Sequence, residues 1–202
     1  MRSDAVQEVE PDWLNLARSG DTNAFAKLVE QYSVAVYNLC YRMLGDHFEA
    51  EDAAQETFMR AYKSLKTYDS KRQFSTWILA IAAHYCIDQL RKKRLKITHL
   101  EVNEYQEIAD PEPNPETSLA ETEQQQRVRA LLNTLNDTDR AAVIMFYWYE
   151  FSYEEIAQAL HLSISAVKSR LHRARTKLAQ TWIDKNQSVH GMERQTYGSP
   201  AI

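Results

Sequence analysis

Residues 153–175 read YEEIAQALHLSISAVKSRLHRAR. Ser152, one residue upstream, and Glu155 form an S-x-x-E capping box, which starts a short helix from Tyr153 to Leu160. His161-Leu162-Ser163 supplies a turn, and Ser163 is placed to cap a second helix from Ile164 to about Trp182. His161 stands where such turns often carry glycine, and histidine tolerates a left-handed backbone better than most residues. Ala157 is small where the two helices must cross. Ile156, Leu160, Leu162, Val167 and Leu171 fall on the inward faces. Ser165, Lys168, Ser169, His172, Arg173 and Arg175 point outward, and no acidic residue occurs from 156 to 183. This is helix-turn-helix spacing. Short polar groups followed by arginines suit base-edge contacts in a major groove with phosphate anchoring. A helical hairpin with a solvated basic face is the plainer alternative.

Upstream, residues 118–135 predict one amphipathic helix with Val128, Leu131, Leu132 and Leu135 on its apolar side. Asp137 starts another, whose AAVIMFYWY run (141–149) is apolar nearly all round and therefore buried. The N-terminal half is helical as well. Asp21 caps a helix carrying Phe25, Leu28, Val29 and Tyr32, and Gly45 ends it. Asp46, with Glu49 three residues on, opens a helix over 47–66 that is acidic first and basic last, an order that suits the helix dipole. Residues 67–75 (TYDSKRQFS) predict a loop. Ser75 is placed to cap a helix from Thr76 to about Lys93, with Trp77, Ile78, Ile81, Ala82, Tyr85 and Ile87 on its apolar side. Residues 1–12 are expected to be a flexible arm and 184–202 a mobile tail. The fold class is all-α: two small helical domains over 13–96 and 118–183, joined by an acidic linker over 97–117.

Composition narrows the function. Only Gly20 and Gly45 precede residue 190, so no glycine-rich phosphate loop is present. Cys40 and Cys86 form no metal knuckle and read as reduced core thiols. The histidines are scattered, and neither a metal nor a cofactor is expected. No apolar run reaches the ~20 residues that span a bilayer, and no signal-peptide pattern opens the chain. A cytoplasmic protein without direct membrane insertion is expected. The net charge of -4 hides alternating blocks. Residues 1–59 carry 4 bases and 11 acids, 60–96 carry 10 and 2, 97–126 carry none and 8, and 127–202 carry 10 and 7. That segregation points to charged partners of both signs.

Two further clusters carry chemistry. The basic block at 60–96 is interleaved with Tyr62, Tyr68, Phe74, Trp77 and Tyr85 and ends in RKKRLK (91–96), five cations in six residues. Cations that hold phosphates beside rings that stack on bases are what a single-strand site needs. Core packing is the alternative for Trp77 and, equally, for Tyr68. In EAEDAAQETF (49–58), Glu51, Asp52, Gln55 and Glu56 recur at helical spacing beside Phe58. Without histidines nearby, a protein-docking or solvated face is the better reading than a metal or acid–base site.

Three stretches together resemble the bacterial extracytoplasmic-function (ECF) sigma factors. They are LVEQYSVAVYNLCYRMLGDHFEAEDAAQETFMRAY (28–62), FSTWILAIAAHYCIDQLRKKR (74–94) and LNDTDRAAVIMFYWYEFSYEEIAQALHLSISAVKSRLHRARTKL (135–178). The resemblance covers about 13–95 and 118–180. It implies a non-enzymatic subunit that binds core RNA polymerase, on the beta-prime clamp helices and the beta flap, and directs transcription to promoters. Glu51, Asp52, Gln55, Glu56 and Phe58 would dock on the clamp helices. Tyr68, His84, Asp88, Arg91, Lys92, Lys93 and Arg94 would open and hold the minus-ten element, where a non-template base leaves the stack. Ser165, Lys168, Ser169, His172, Arg173 and Arg175 would read the minus-thirty-five element. The linker would thread the polymerase cleft and exit channel, an acidic strand standing in for nucleic acid until RNA displaces it. An anti-sigma factor would mask both domains. Ala80-Ile81-Ala82 followed by His84 departs from the Arg-Ile-Ala and asparagine pattern frequent in the family, which leaves the minus-ten base preference open. A stand-alone helix-turn-helix regulator would explain 118–180 alone.

Overall fold

The structure, a computed structural model, describes residues 10–101 and 123–195, with side chains at 12–96 and 123–184. Among these residues every regular element is helical. The N-terminal half contains α1 (Glu10–Arg18), α2 (Thr22–Leu44), α3 (His47–Ser64), a 3-10 turn (Leu65–Thr67) and α4 (Phe74–Glu101). The C-terminal half contains α5 (Glu123–Leu132), α6 (Asp137–Trp148), α7 (Tyr153–Ala159) and α8 (Ile164–Gln195).

Local chemistry sets most helix ends. The Asp21 carboxylate accepts the Asn23 and Ala24 amides at the start of α2. Gly45 ends α2 in a left-handed conformation (φ 78°), and its amide bonds the Tyr41 carbonyl. Asp46 accepts the Glu49 amide to open α3. The Ser152–Glu155 capping box is reciprocal, and His161 takes φ 53° in the turn before α8, where Ser163 Oγ accepts the Ala166 amide.

Several boundaries differ from those expected. Helix α4 begins at Phe74, not after a Ser75 cap. The Phe74 ring is buried, edge-on to Tyr32 and Tyr68 and beside Trp77, and this packing anchors the first turn. The same helix runs on through Glu101 into the acidic stretch, since neither glycine nor proline interrupts 95–101. Helix α6 is capped by Asn136, whose side chain accepts the Asp139 amide; Asp137 is its first residue. Helix α8 continues to Gln195, past the expected end near Trp182 and through much of the expected tail. The rest of the linker and residues 1–9 of the expected arm over 1–12 lie outside the described residues, whereas residues 10–12 of that arm already belong to α1.

In the N-terminal half, Leu28, Val36, Leu39 and Met43 of α2 interlock with Ala50 and Ala53 of α3 and with Ile78, Leu79, Ala82 and Cys86 of α4. The buried face of α4 therefore includes Leu79, Ala83 and Cys86, whereas Trp77, Ile81 and Tyr85 are only half-buried. A hydrogen bond with Cys40, together with burial, pushes the Cys86 thiol far up, consistent with an inert core cysteine. In the C-terminal half, Ile144 and Met145 of α6 meet Ile156 of α7 and Val167 and Leu171 of α8. The two halves also pack on each other, α5 and α6 against α2, and α6 and α7 against α4.

Candidate nucleic-acid interface

Helix α8 presents Ser165, Lys168, Ser169, His172, Arg173 and Arg175 to solvent along one exposed surface. Two contacts fix its orientation. Arg170, on the inner flank, donates to Asp139 at 2.8 Å. Arg175 Nε donates to the Tyr147 hydroxyl at 2.9 Å, and its guanidinium lies 5.2 Å from the Phe146 ring centroid. Lys168 Nζ lies 5.6 Å from the Tyr153 centroid. Arg175 is therefore tied to aromatic rings of α6, while Ser165, Ser169 and Arg173 project from exposed positions. Sequence reasoning did not identify Arg170 or Tyr147 as supports, because their partners lie on another helix.

The basic end of α4 is exposed from Arg91 to Lys96. Arg91 pairs with Asp88 at 3.0 Å, Lys93 pairs with Glu49 of α3, and Arg94 pairs with Asp137 at the start of α6. Tyr68 is corrected by the structure. Its ring is buried, 3% exposed, against Phe74 and Trp77, and its hydroxyl bonds the Arg72 carbonyl. The expected base contact from this ring is replaced by packing that shapes the 68–73 loop. His84 lies half-buried on the face of α4 that also carries Trp77 and Ile81. A cavity of about 340 Å³ opens there, lined by Arg72, Thr76, Trp77 and His84 from the N-terminal half and by Gln158 and His161 from the other. Burial holds the His84 imidazole below its ordinary range, and the stacked His161 ring, 5.0 Å away, acts in the same direction.

The acidic face of α3 is separate from both. Glu51, Asp52 and Gln55 are exposed beside Phe48 and Met59, which are 59% and 53% exposed. Glu56 is held by Arg60 at 2.7 Å, and Phe58 packs half-buried against the core. An acidic row flanked by exposed apolar side chains has the chemistry to meet a protein partner. Among the described residues no group of three His, Cys, Asp or Glu is arranged to hold a metal, and no helix is long and apolar enough to cross a membrane.

Residues 28–96 match the sigma-70 region 2 family, and residues 125–178 match sigma-70 region 4. A helical chain with both regions in this order is of the sigma-70 class. It is 36% identical over 168 residues to the ECF RNA polymerase sigma factor SigW of Bacillus subtilis (strain 168), an alignment covering 80% of this chain and 90% of that protein. Its fold matches CnrH, solved in complex with the cytosolic domain of CnrY, with a TM-score of 0.65 and 24% identity over 88% of this chain and 99% of that one. It also matches the sigma factor RpoE, solved with the anti-sigma factor NepR from Bartonella quintana, with a TM-score of 0.61 and 24% identity over 77% and 94% of the two chains. The chain belongs to the ECF RNA polymerase sigma factors.

Proposed function

We propose that this protein binds core RNA polymerase in the cytoplasm and directs it to promoters through two separate DNA contacts. The observation that carries this assignment is the pairing of an acidic docking face and a basic, aromatic-lined α4 in one half with a one-sided basic helix-turn-helix in the other. The polymerase does the chemistry. This chain contributes binding energy and is not itself an enzyme.

Three surfaces divide the work. Glu51, Asp52, Gln55, Glu56 and Phe58 dock on the beta-prime clamp helices. His84, Asp88 and the Arg91–Arg94 run hold the melted minus-ten strand, the cations on phosphates and the α4 face on an unstacked base. Ser165, Lys168, Ser169, His172, Arg173 and Arg175 enter the major groove at the minus-thirty-five element while the same half rests on the beta flap. Residues 13–96 and 118–183 act as the two promoter-facing domains, with 97–117 as the connection. An anti-sigma factor is the regulatory partner, as one is for the similar RpoE. A stand-alone regulator is not favoured, because it leaves the region 2 half without a role.

The test is a pull-down with bacterial core polymerase, comparing wild type with Asp52→Ala/Gln55→Ala. Both positions are exposed, so the variant keeps its fold. Stable wild-type association, weakened at least tenfold in the variant, is expected. A folded wild type that fails to bind core polymerase overturns the assignment.

A further inference from the structure

A second groove, of about 470 Å³, lies where α2 meets α5 and the end of α6. Its walls are aromatic and cationic. Tyr37 and Tyr41, one turn apart on α2, stack with their ring planes 10° apart and their centroids 6.0 Å apart. Trp148, 40% exposed, lines the groove from α6, and the Arg42 guanidinium stands 5.2 Å from its ring centroid. Arg129 of α5 adds a second cation. Main-chain bonds hold both arginines in place. Arg42 Nη1 donates to the Asn38 carbonyl at 3.0 Å, and Arg129 Nη1 donates to the Gly45 carbonyl at 2.9 Å. The latter bond stands beside one from Arg140 Nη1 to the Met43 carbonyl at 2.7 Å, so two guanidinium groups cap the carbonyl end of α2, where the helix dipole is negative. Among the described residues that line the groove, none is acidic.

Aromatic rings with two fixed cations and no carboxylate fit an extended peptide that is both proline-rich and acidic. Prolines in polyproline II geometry dock on aromatic-lined grooves, and carboxylates pair with guanidinium groups. The chain carries such a peptide. Residues 110–116, outside the described residues, read DPEPNPE. Pro111, Pro113 and Pro115 fix their own φ, and each biases the residue before it toward extended backbone, so the covalent chemistry of 110–115 lowers the entropy lost on docking. Asp110, Glu112 and Glu116 supply negative charge, with no base from 97 to 126 to offset it. The position agrees with the chemistry. Helix α5 starts at Glu123, and Gln124 and Gln125 already line the groove, so Pro115 is tethered within eight residues of its first helical residue. A short tether gives an effective concentration on the order of millimolar, enough for a weak contact to fill the groove.

We propose that this groove is a docking site for the chain's own DPEPNPE segment. Tyr37, Tyr41 and Trp148 take the prolines, and Arg42 and Arg129 take the carboxylates. The site is separate from the outward face of α8, from the basic end of α4 and from the acidic row of α3. The docking stands on the groove and the sequence, and it needs neither promoter nor polymerase. One consequence rests on the assignment above: a connection that threads the polymerase must first leave this groove.

Fluorine NMR on the full chain labelled with 5-fluorotryptophan tests the docking. The four tryptophans, Trp13, Trp77, Trp148 and Trp182, give four signals, and Trp148→Phe identifies the one that matters. Pro111→Ser/Pro113→Ser/Pro115→Ser changes no residue of the described helices. It is expected to move the Trp148 signal and to leave those of Trp13 and Trp77 in place. Adding the end-blocked peptide DPEPNPE to this variant is expected to restore the wild-type position, with a Kd on the order of the effective concentration, about 1 mM. The same peptide with serine at its three proline positions is expected to restore nothing. Arg42→Gln, added to the proline variant, is expected to weaken the peptide titration about threefold. A Trp148 signal identical in wild type and the proline variant overturns the proposal, as does a shift that the peptide fails to reverse. A Trp148 signal that follows protein concentration assigns the groove to a second copy of the chain and overturns it as well.

Discussion

Arg140 is a cation with only 6% of its surface exposed, and its replacement by methionine tests how the interface is built. Methionine fills most of the space of the arginine stem, so the loss is mainly of donors. The Met43 carbonyl loses a charge-assisted bond at 2.7 Å, worth about 1.5–3 kcal/mol when buried. The Leu132 carbonyl loses Arg140 Nε at 3.1 Å but keeps the Leu135 amide at 3.1 Å, so that loss is smaller, about 0.5–1 kcal/mol. Against these stands relief from holding a cation out of water, a cost visible in the downward pull of burial on the Arg140 pKa, which offsets part of the loss. The balance is a destabilisation of about 2 kcal/mol, or about 4–8 °C in Tm for a chain of this size. Urea unfolding followed by far-UV circular dichroism measures it. Arg140→Lys, which keeps the charge but not the fork, should fall between the two. A loss below about 0.5 kcal/mol for Arg140→Met would show that the buried guanidinium does not hold the two halves together, and the reasoning from the α2 carbonyls would fail.

Three further outcomes are expected. His84 has a pKa below the ordinary 6.5 when the halves are packed, so the packed state binds fewer protons there than the separated one. Its contribution is complete above about pH 6.5 and is lost as pH falls toward the depressed value. The groups facing it are His161 and Asp88, with Arg60 and Arg72 around the same cavity, and NMR titration of the imidazole should return a normal pKa in an opened variant. Ser152→Ala removes the acceptor for the Glu155 amide and should cost about 1 kcal/mol in thermal melts; an unchanged Tm would mean that α7 is held by packing alone. Lys92→Ala should weaken polymerase-dependent binding equally across promoters and lower the salt slope by about one, whereas Arg173→Ala should weaken it according to the minus-thirty-five sequence. Equal effects of both on every promoter would contradict the division between backbone holding and base reading.

The sequence by itself determined many features that depend on near neighbours in the chain, although it placed the caps of α4 and α6 one or two residues late. The Asp21 and Asp46 caps, the Gly45 stop, the Ser152–Glu155 box and the left-handed His161 are all governed by residues within four positions of one another. The outward face of α8 was legible for the same reason: helical periodicity fixes which residues share a side. The family resemblance rested on these same local patterns. Features decided between distant segments were not legible. Tyr68 sits in a polar loop by sequence, yet Phe74 and Trp77 draw its ring into the core, because burying an aromatic side chain outweighs the polarity of its neighbours. Trp77 and Ile81 read as part of an apolar stripe of α4 but, with His84, line a seam against α7. Arg140 stands just before the apolar run of α6, and nothing in its neighbouring residues marks it as buried. Only the tertiary structure brings the orphan carbonyl of Met43, 97 positions away, to its guanidinium. A buried charge requires a partner, and which partner it finds is decided by packing rather than by spacing along the chain.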